Sequence, residues 1–314
     1  MPVALQPTHL EPPRRLPGSF GGFVEDLIRT ARPRQWLKNL LVFAAPAAAG
    51  VLGHVGPFLR SAGAVGVFCL AASGTYFLND ALDADADRLH PRKRSRPVAA
   101  GRLSVRAAVT GAVVLMALAL GTGAALAGYR LTVVVAVYLA LSTAYSLRLK
   151  HEPILDLACL SSGFILRAIA GGVATNVPLS DWFLIVASFG SLFIATGKRS
   201  AEYLQGGHDR GLHRPVLGKY PLAFLQSVRL LSAAVTITAY CLWAFERSAA
   251  GLRGHHHPIW SELSIIPVVL AVLYLELHYE RGGGAAPEDL AVRDLNLQVL
   301  AVAWVVLFAV GVYV

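Results

Sequence analysis

From Ala107 to Tyr129 the chain runs without a single charged residue. A helix needs roughly 20 mostly apolar residues to cross a hydrocarbon core of about 30 Å, so a run of this length and purity reads as a membrane span. Similar runs recur along the sequence, too many for a single anchor. The overall mix agrees: 55% of residues are hydrophobic, only 15% are charged, and the mean hydropathy is +0.55, outside the range of a soluble domain. Reading charge-free runs and their flanks predicts nine transmembrane helices, at about 36–53, 57–79, 104–126, 130–149, 153–174, 179–199, 222–245, 260–279 and 293–314. The expected fold is therefore an all-α polytopic membrane bundle, with residues 1–22 a disordered cytoplasmic tail and 23–314 a single transmembrane domain.

If the N-terminus is cytoplasmic, the tail and the loops after spans two, four, six and eight carry most of the Lys and Arg, which sets the orientation. The formal charge of +9 follows from that bias, and no nucleic-acid partner is needed to explain it. Cys69, Cys159 and Cys241 all fall in apolar segments without the spacing of a metal or redox pair, so they read as packing residues. The triple histidine His255 to His257 has no further ligands nearby and reads as a plain outside loop.

Two long charged cytoplasmic loops, Asp80 to Arg102 and Lys198 to Tyr220, follow spans whose last turns are polar. The first opens with Asn79, Asp83 and Asp87 at i, i+4 and i+8, which places them at about 0°, 40° and 80° around a continuing helix. Three oxygen ligands on one stripe repel one another unless a cation neutralises them. Mg²⁺ suits such a stripe, because it prefers carboxylate oxygens and bridges to substrate phosphates instead of being caged by protein. A calcium loop fails here: Asp83, Asp85 and Asp87 fit its first ligand positions, but Arg88 and Arg94 stand where Gly and Glu are required. Downstream, Arg88, Arg92, Lys93, Arg94 and Arg96 supply point charges and planar forks suited to phosphate, with Arg94 and Arg96 the preferred substrate contacts.

Span six ends in Lys198, Arg199 and Glu202, on the same side of the membrane as the stripe. Lys38 and Asn39 sit inside the first predicted span, and Tyr145 and Lys150 close the fourth. Ionisable groups within spans cost at least about 2.5–3.5 kcal/mol, so Asp156 and Arg167 in span five face either a cavity or a partner.

These motifs, Asn79-x3-Asp83-x3-Asp87 after a second span and a polar motif after the sixth, resemble the UbiA superfamily of intramembrane prenyltransferases, and nearly the whole chain is covered. The resemblance is closer to its branch of decaprenyl-phosphate phosphoribosyltransferases. It rests on Arg32-Pro33-Arg34-Gln35-Trp36-Leu37-Lys38-Asn39, on Asn79 through Pro91, on Leu166 to Thr175, on Gly197-Lys198-Arg199-x-Ala201-Glu202 and on Leu242 to Arg247. It implies a nine-helix bundle that uses Mg²⁺, held by Asn79, Asp83 and Asp87, to transfer 5-phosphoribose from phosphoribosyl diphosphate to a polyprenyl phosphate in cell-wall arabinan synthesis. Asp83, Asp87 and Lys198 would be catalytic. Lys38, Asn39, Arg94, Arg96, Tyr145, Lys150, Arg167, Lys198, Arg199 and Glu202 would bind substrate. The resemblance further implies a trimer in the plasma membrane, with membrane lipids as neighbours and the active site facing the cytoplasm.

One departure bears on substrate. Ordinary members carry a second Asp-rich motif after span six, where this chain has Lys198, Arg199 and Glu202. Added cations suit a donor with a further phosphate better than a neutral aromatic acceptor. The alternative within the family joins a prenyl diphosphate to an aromatic ring. A CDP-alcohol phosphatidyltransferase would need an Asp-Gly motif absent here, and a transporter would spread ionisable residues over several span midpoints.

Overall fold

The computed structural model describes residues 20–90, 93–206, 215–253, 259–284 and 286–314. The expected disordered tail lies outside the described residues up to residue 19, as does the triple histidine. Among the described residues the chain is helical, without strands. Its helices are α1 (Phe20–Ala31), α2 (Ala44–Ala48), α3 (Val55–Leu82), α4 (Ala84–Leu89), α5 (Val105–Leu147), α6 (Leu155–Thr175) and α7 (Asp181–Gly206). They continue with α8 (Leu222–Arg253), α9 (Ile259–Leu263), α10 (Ile265–Glu280), α11 (Pro287–Arg293) and α12 (Leu295–Tyr313). A 3-10 segment, Pro33–Phe43, joins α1 to α2, and short 3-10 turns at Lys93–Ser95, Leu149–His151 and Pro215–Lys219 sit in the loops.

Among the described residues, six stretches are long and apolar enough to cross a membrane: α3, α5, α6, Leu222–Ser248 of α8, α9 with α10, and α12. One of them is two rods. At 1.5 Å per residue a straight α5 would run about 64 Å, twice a hydrocarbon core. It breaks at Ala127 (φ −144°) and Gly128 (φ +67°), the second a left-handed backbone that glycine adopts without cost. The chain doubles back there, since Val135 lies 3.9 Å from where a Cβ on Gly123 would stand. The break falls between the predicted spans 104–126 and 130–149.

The first predicted span is not an α-helix. Arg32 is left-handed (φ 54°), Pro33 follows it, and the backbone then winds as a 3-10 helix for eleven residues. Such runs seldom exceed three or four residues, so this one is held by what it touches. Its buried positions, Asn39 and Val42, stand one 3-10 turn apart, and Ala45 and Pro46 are buried next in α2. Trp36 Nε1 donates to Ser73 Oγ on α3 at 3.1 Å, and Arg167 Nε on α6 donates to Asn39 Oδ1 at 2.7 Å. Val42 presses on α6 at Gly171, where a Cβ would stand 1.8 Å from the Val42 carbonyl oxygen.

Helix α6 is the central element: it packs on α3, α5, α7 and the 3-10 segment, while α3 pairs chiefly with α5 and α7 with α8. Phe68, Leu131, Val135 and Ala170 fill the core on one side of it, and Phe193, Ala233 and Tyr279 form a smaller core beyond α7. This arrangement brings the ends of α3, α5, α6 and α7 together on the strongly basic face.

Candidate active site

Asp83 ends α3 and begins α4, with φ −94° and ψ 6°. The bend does not scatter the stripe, because Asp83 N–H still donates to Asn79 O at 2.9 Å and Asp87 N–H to Asp83 O at 2.8 Å. Asn79 Nδ2 also donates to Asp83 Oδ2 at 3.2 Å. Asn79, Asp83 and Asp87 thus stay on one side, as their spacing predicts.

Cations close around this stripe from three directions. Lys150 Nζ, from the turn after α5, reaches Asp83 Oδ1 at 2.6 Å. Arg96 Nη1 bridges Asp87 Oδ2 at 2.6 Å and Asp80 Oδ1 at 3.2 Å, and Lys93 Nζ stands 3.8 Å from Asp87 Oδ1. Arg32, at the head of the 3-10 segment, donates to Asp80 and stacks over the Tyr76 ring at 4.9 Å. Asp80 and Asp87 are buried, whereas Asp83 is a quarter exposed. Arg94 is exposed beside Lys93.

Two carboxylates and an amide oxygen form the hard-oxygen donor set that Mg²⁺ prefers. Among the described residues no three His, Cys, Asp or Glu side chains gather into a cage. An ion held by this stripe would complete its shell from water and substrate phosphates. Both carboxylates already hold positive charge at contact distance, so the positions fit a cation.

A second cluster lies behind the first. Arg199 on α7 is fully buried and forks onto Asp156 at the start of α6, Nε to Oδ2 at 2.5 Å and Nη2 to Oδ1 at 2.6 Å. Its Nη1 reaches Glu202 Oε2 at 2.6 Å, and its Nη2 donates to Tyr145 OH at 3.1 Å, which itself donates to Asp156 Oδ1 at 3.1 Å. All three guanidinium nitrogens are therefore engaged within the protein, as befits a planar five-donor fork. Lys198, one position earlier on α7, is half-buried.

Arg167 takes a different partner from Asp156, although the two share a helix. It donates to Asn39, to Gly163 O at 2.5 Å and to Tyr138 OH at 3.1 Å, with its charge over the Tyr138 and Phe68 rings at 4.9 and 5.6 Å. Asn39 is wholly buried and donates to Cys69 Sγ at 3.2 Å. Lys38 Nζ donates to Gln35 at 2.5 Å. The expected substrate contacts thus divide: Lys150 and Arg96 contact the stripe and Arg94 lies exposed next to Lys93, while Asn39, Arg167 and Arg199 are committed to the frame.

Sequence reading missed what joins the loops. Between Lys150 and α6, Leu155 N–H bonds back to Pro153 O at 2.8 Å, a three-residue γ-turn around Ile154 at φ 68°. A β-branched residue there is a genuine outlier, costing of order 1–3 kcal/mol. Ile154 N–H donates to Tyr220 OH at 2.9 Å, and Lys219 Nζ donates to His151 O at 2.9 Å. Tyr220 is buried among Leu157, Ala195, Val216 and Leu225. No sequence periodicity marks such a pairing; the positive φ is visible only in the folded chain.

Away from the stripe lies an apolar cavity of about 630 Å³. Phe164 and Ala168 wall it on α6, and Tyr240, Trp243, Trp304 and Phe308 form an aromatic wall on α8 and α12, with neighbouring rings 5.1–5.6 Å apart. The stripe residues line no part of it.

An all-helical bundle with apolar rods, a hard-oxygen stripe ringed by cations and an apolar cavity defines an integral membrane protein. The model of the UbiA prenyltransferase family matches residues 40–297, and the chain belongs to that family. It is 42% identical to the decaprenyl-phosphate phosphoribosyltransferase of Corynebacterium glutamicum over 97% of this chain and 90% of the relative. Against the protein of that name from Mycolicibacterium smegmatis the identity is 41%, over 98% and 96%, and against that from Mycobacterium tuberculosis 43%, over 90% and 92%. The fold is that of a UbiA homologue from Archaeoglobus fulgidus solved with GPP and Mg²⁺ (TM-score 0.67, 20% identity, 91% of this chain and 98% of that one).

Proposed function

We propose that this protein transfers 5-phosphoribose from phosphoribosyl diphosphate to a polyprenyl phosphate, releasing diphosphate, as a step toward cell-wall arabinan. The observation that carries the reading is 41–43% identity over nine tenths or more of the chain to proteins named for that activity. Nine crossings, a single catalytic domain from residue 23 onward and a cytoplasmic site in the plasma membrane complete the proposal. The 3-10 segment with α2, the two rods of α5 and α7 supply the crossings beyond those that length and composition mark outright.

In the reaction the bond from ribose C1 to the diphosphate oxygen breaks and a bond from C1 to the lipid phosphate oxygen forms. The acceptor phosphate is already ionised, so no protein nucleophile or general base is required. Asn79, Asp83 and Asp87 would hold Mg²⁺, which neutralises charge on the leaving diphosphate. Lys150, Lys93, Arg94 and Arg96 bind phosphate oxygens, and Lys198 holds the 5-phosphate. Arg199, Asp156, Glu202 and Tyr145 fix the ends of α6 and α7 so that Lys198 and Lys150 keep their places. Asn39 and Arg167 seat the 3-10 segment, which carries Lys38 to the site. The apolar cavity suits isoprenoid units of the acceptor.

Purified protein given Mg²⁺, labelled phosphoribosyl diphosphate and polyprenyl phosphate should yield labelled lipid. Label found only in water-soluble products would overturn the reading. The family description leaves one alternative, a prenyl diphosphate donor with an aromatic acceptor, which the same assay separates.

A further inference from the structure

The step from α5 to α6 and the segment before α8 meet through Tyr220 and Lys219. Lys150 leaves the end of α5 for Asp83, and Asp156 opens α6 for Arg199, so the six-residue step between them has to hold both. That step contains the Pro153–Leu155 turn, in which Ile154 stands at φ 68° with an exposed, unpacked side chain. Locally the Leu155 N–H to Pro153 O bond closes the turn, against the preference of a β-branched residue, where glycine would take the conformation freely. A second support is remote in sequence. Tyr220, 66 residues away, accepts the Ile154 amide at 2.9 Å, and its ring is packed between α6 and α7 and stacked on Phe224 at 6.0 Å. Lys219 braces the same loop through His151 O and Glu152.

We propose that Tyr220 is a positioning residue, whose hydroxyl holds the turn at Ile154 closed and thereby keeps Lys150 against the acidic stripe and Asp156 against Arg199. The reading rests on the proposed phosphoribosyl transfer for its catalytic consequence, but its structural half stands without it. Tyr220 touches no substrate. It acts through a strained turn that relaxes when the hydroxyl is lost, carrying Lys150 off Asp83.

Tyr220→Phe keeps the ring and its packing and removes only the acceptor. In the labelled-lipid assay it should lower kcat by about tenfold, the effect of a lost buried hydrogen bond, with the KM for polyprenyl phosphate little changed. Ile154→Gly in the same background relieves the turn's strain and should restore most of that loss, which a general folding defect at Tyr220 would not allow. Hydrogen exchange over residues 149–158 reads the turn without substrate: it should quicken in Tyr220→Phe and slow again in the double variant. Wild-type kcat together with unchanged exchange in Tyr220→Phe overturns the proposal, and so does a loss that Ile154→Gly leaves in full. Should wild-type protein make no labelled lipid, the exchange result still decides the turn, and only the reaction assigned to the site falls.

Discussion

Arg199 and Asp156, one on α7 and one on α6, meet as a two-pronged pair at 2.5 and 2.6 Å with neither side chain reached by solvent. A buried pair of this kind adds little net stability over apolar residues, but breaking it strands a charge at a cost of about 3–5 kcal/mol. Asp156→Ala should therefore lose roughly that much stability in detergent, read from equilibrium unfolding. A variant as stable as wild type would mean the pair is not closed in solution.

The acidic stripe makes a separate demand. Asp83→Asn and Asp87→Asn keep the shape of each side chain and remove its charge, so each should abolish turnover while the protein stays folded. Near-normal product formation by either variant would remove the Mg²⁺ site.

Lys198 and Arg199 are adjacent, yet their substitutions should differ in kind. Lys198→Ala should raise the KM for phosphoribosyl diphosphate roughly 10- to 150-fold, the range for a charge-assisted contact, and leave the KM for polyprenyl phosphate nearly unchanged. Arg199→Ala should instead lose folded protein, because its guanidinium serves Asp156 and Glu202. If Lys198→Ala impaired only the lipid acceptor, the two phosphate positions would have to be exchanged.

Burial pushes the Tyr220 hydroxyl up to about 12 from its ordinary value near 10. The folded state thus holds this proton more tightly than the unfolded one, and the stability it contributes is fully present below the unfolded value. Stability should decline as pH rises from about 10 through about 12. Tyr220→Phe, compared with wild type by unfolding temperature across that window, should show a shallower decline; parallel curves would contradict it.

Orientation can be read with single cysteines. Ala86 is exposed beside the stripe and Tyr129 is exposed at the break in α5, on the opposite face. Ala86→Cys should resist an impermeant thiol reagent in intact cells, and Tyr129→Cys should react. The reverse pattern would invert the protein in the membrane.

Local chemistry made part of this legible in advance. Apolar run length located the rods, including the break at Ala127 and Gly128, and the four-residue spacing of Asn79, Asp83 and Asp87 survived a bend because the i to i+4 backbone bonds survived it. What stayed hidden is the choice of partners. Arg199 finds Asp156 across 43 residues, and Arg167 finds Asn39 across 128, partners that no local spacing marks. The 3-10 winding was equally hidden, since its Leu-rich sequence suits an α-helix and only the pressure of α6 at Gly171 and the anchors at Ser73 and Arg167 select the tighter coil.

That tighter coil changes how thickness is spanned. At about 2.0 Å per residue the 3-10 stretch advances roughly 22 Å, and the five residues of α2 add about 7.5 Å, so sixteen residues cover what an α-helix needs twenty to cover. The stretch therefore has no slack. One inserted residue before Asn39 would turn the segment by about 120°. It would carry the amide out of reach of Arg167 and leave that guanidinium facing hydrocarbon, whereas the same insertion in an ordinary span can be absorbed by tilt. In the nine-crossing arrangement proposed above, the first crossing is a component of fixed gauge.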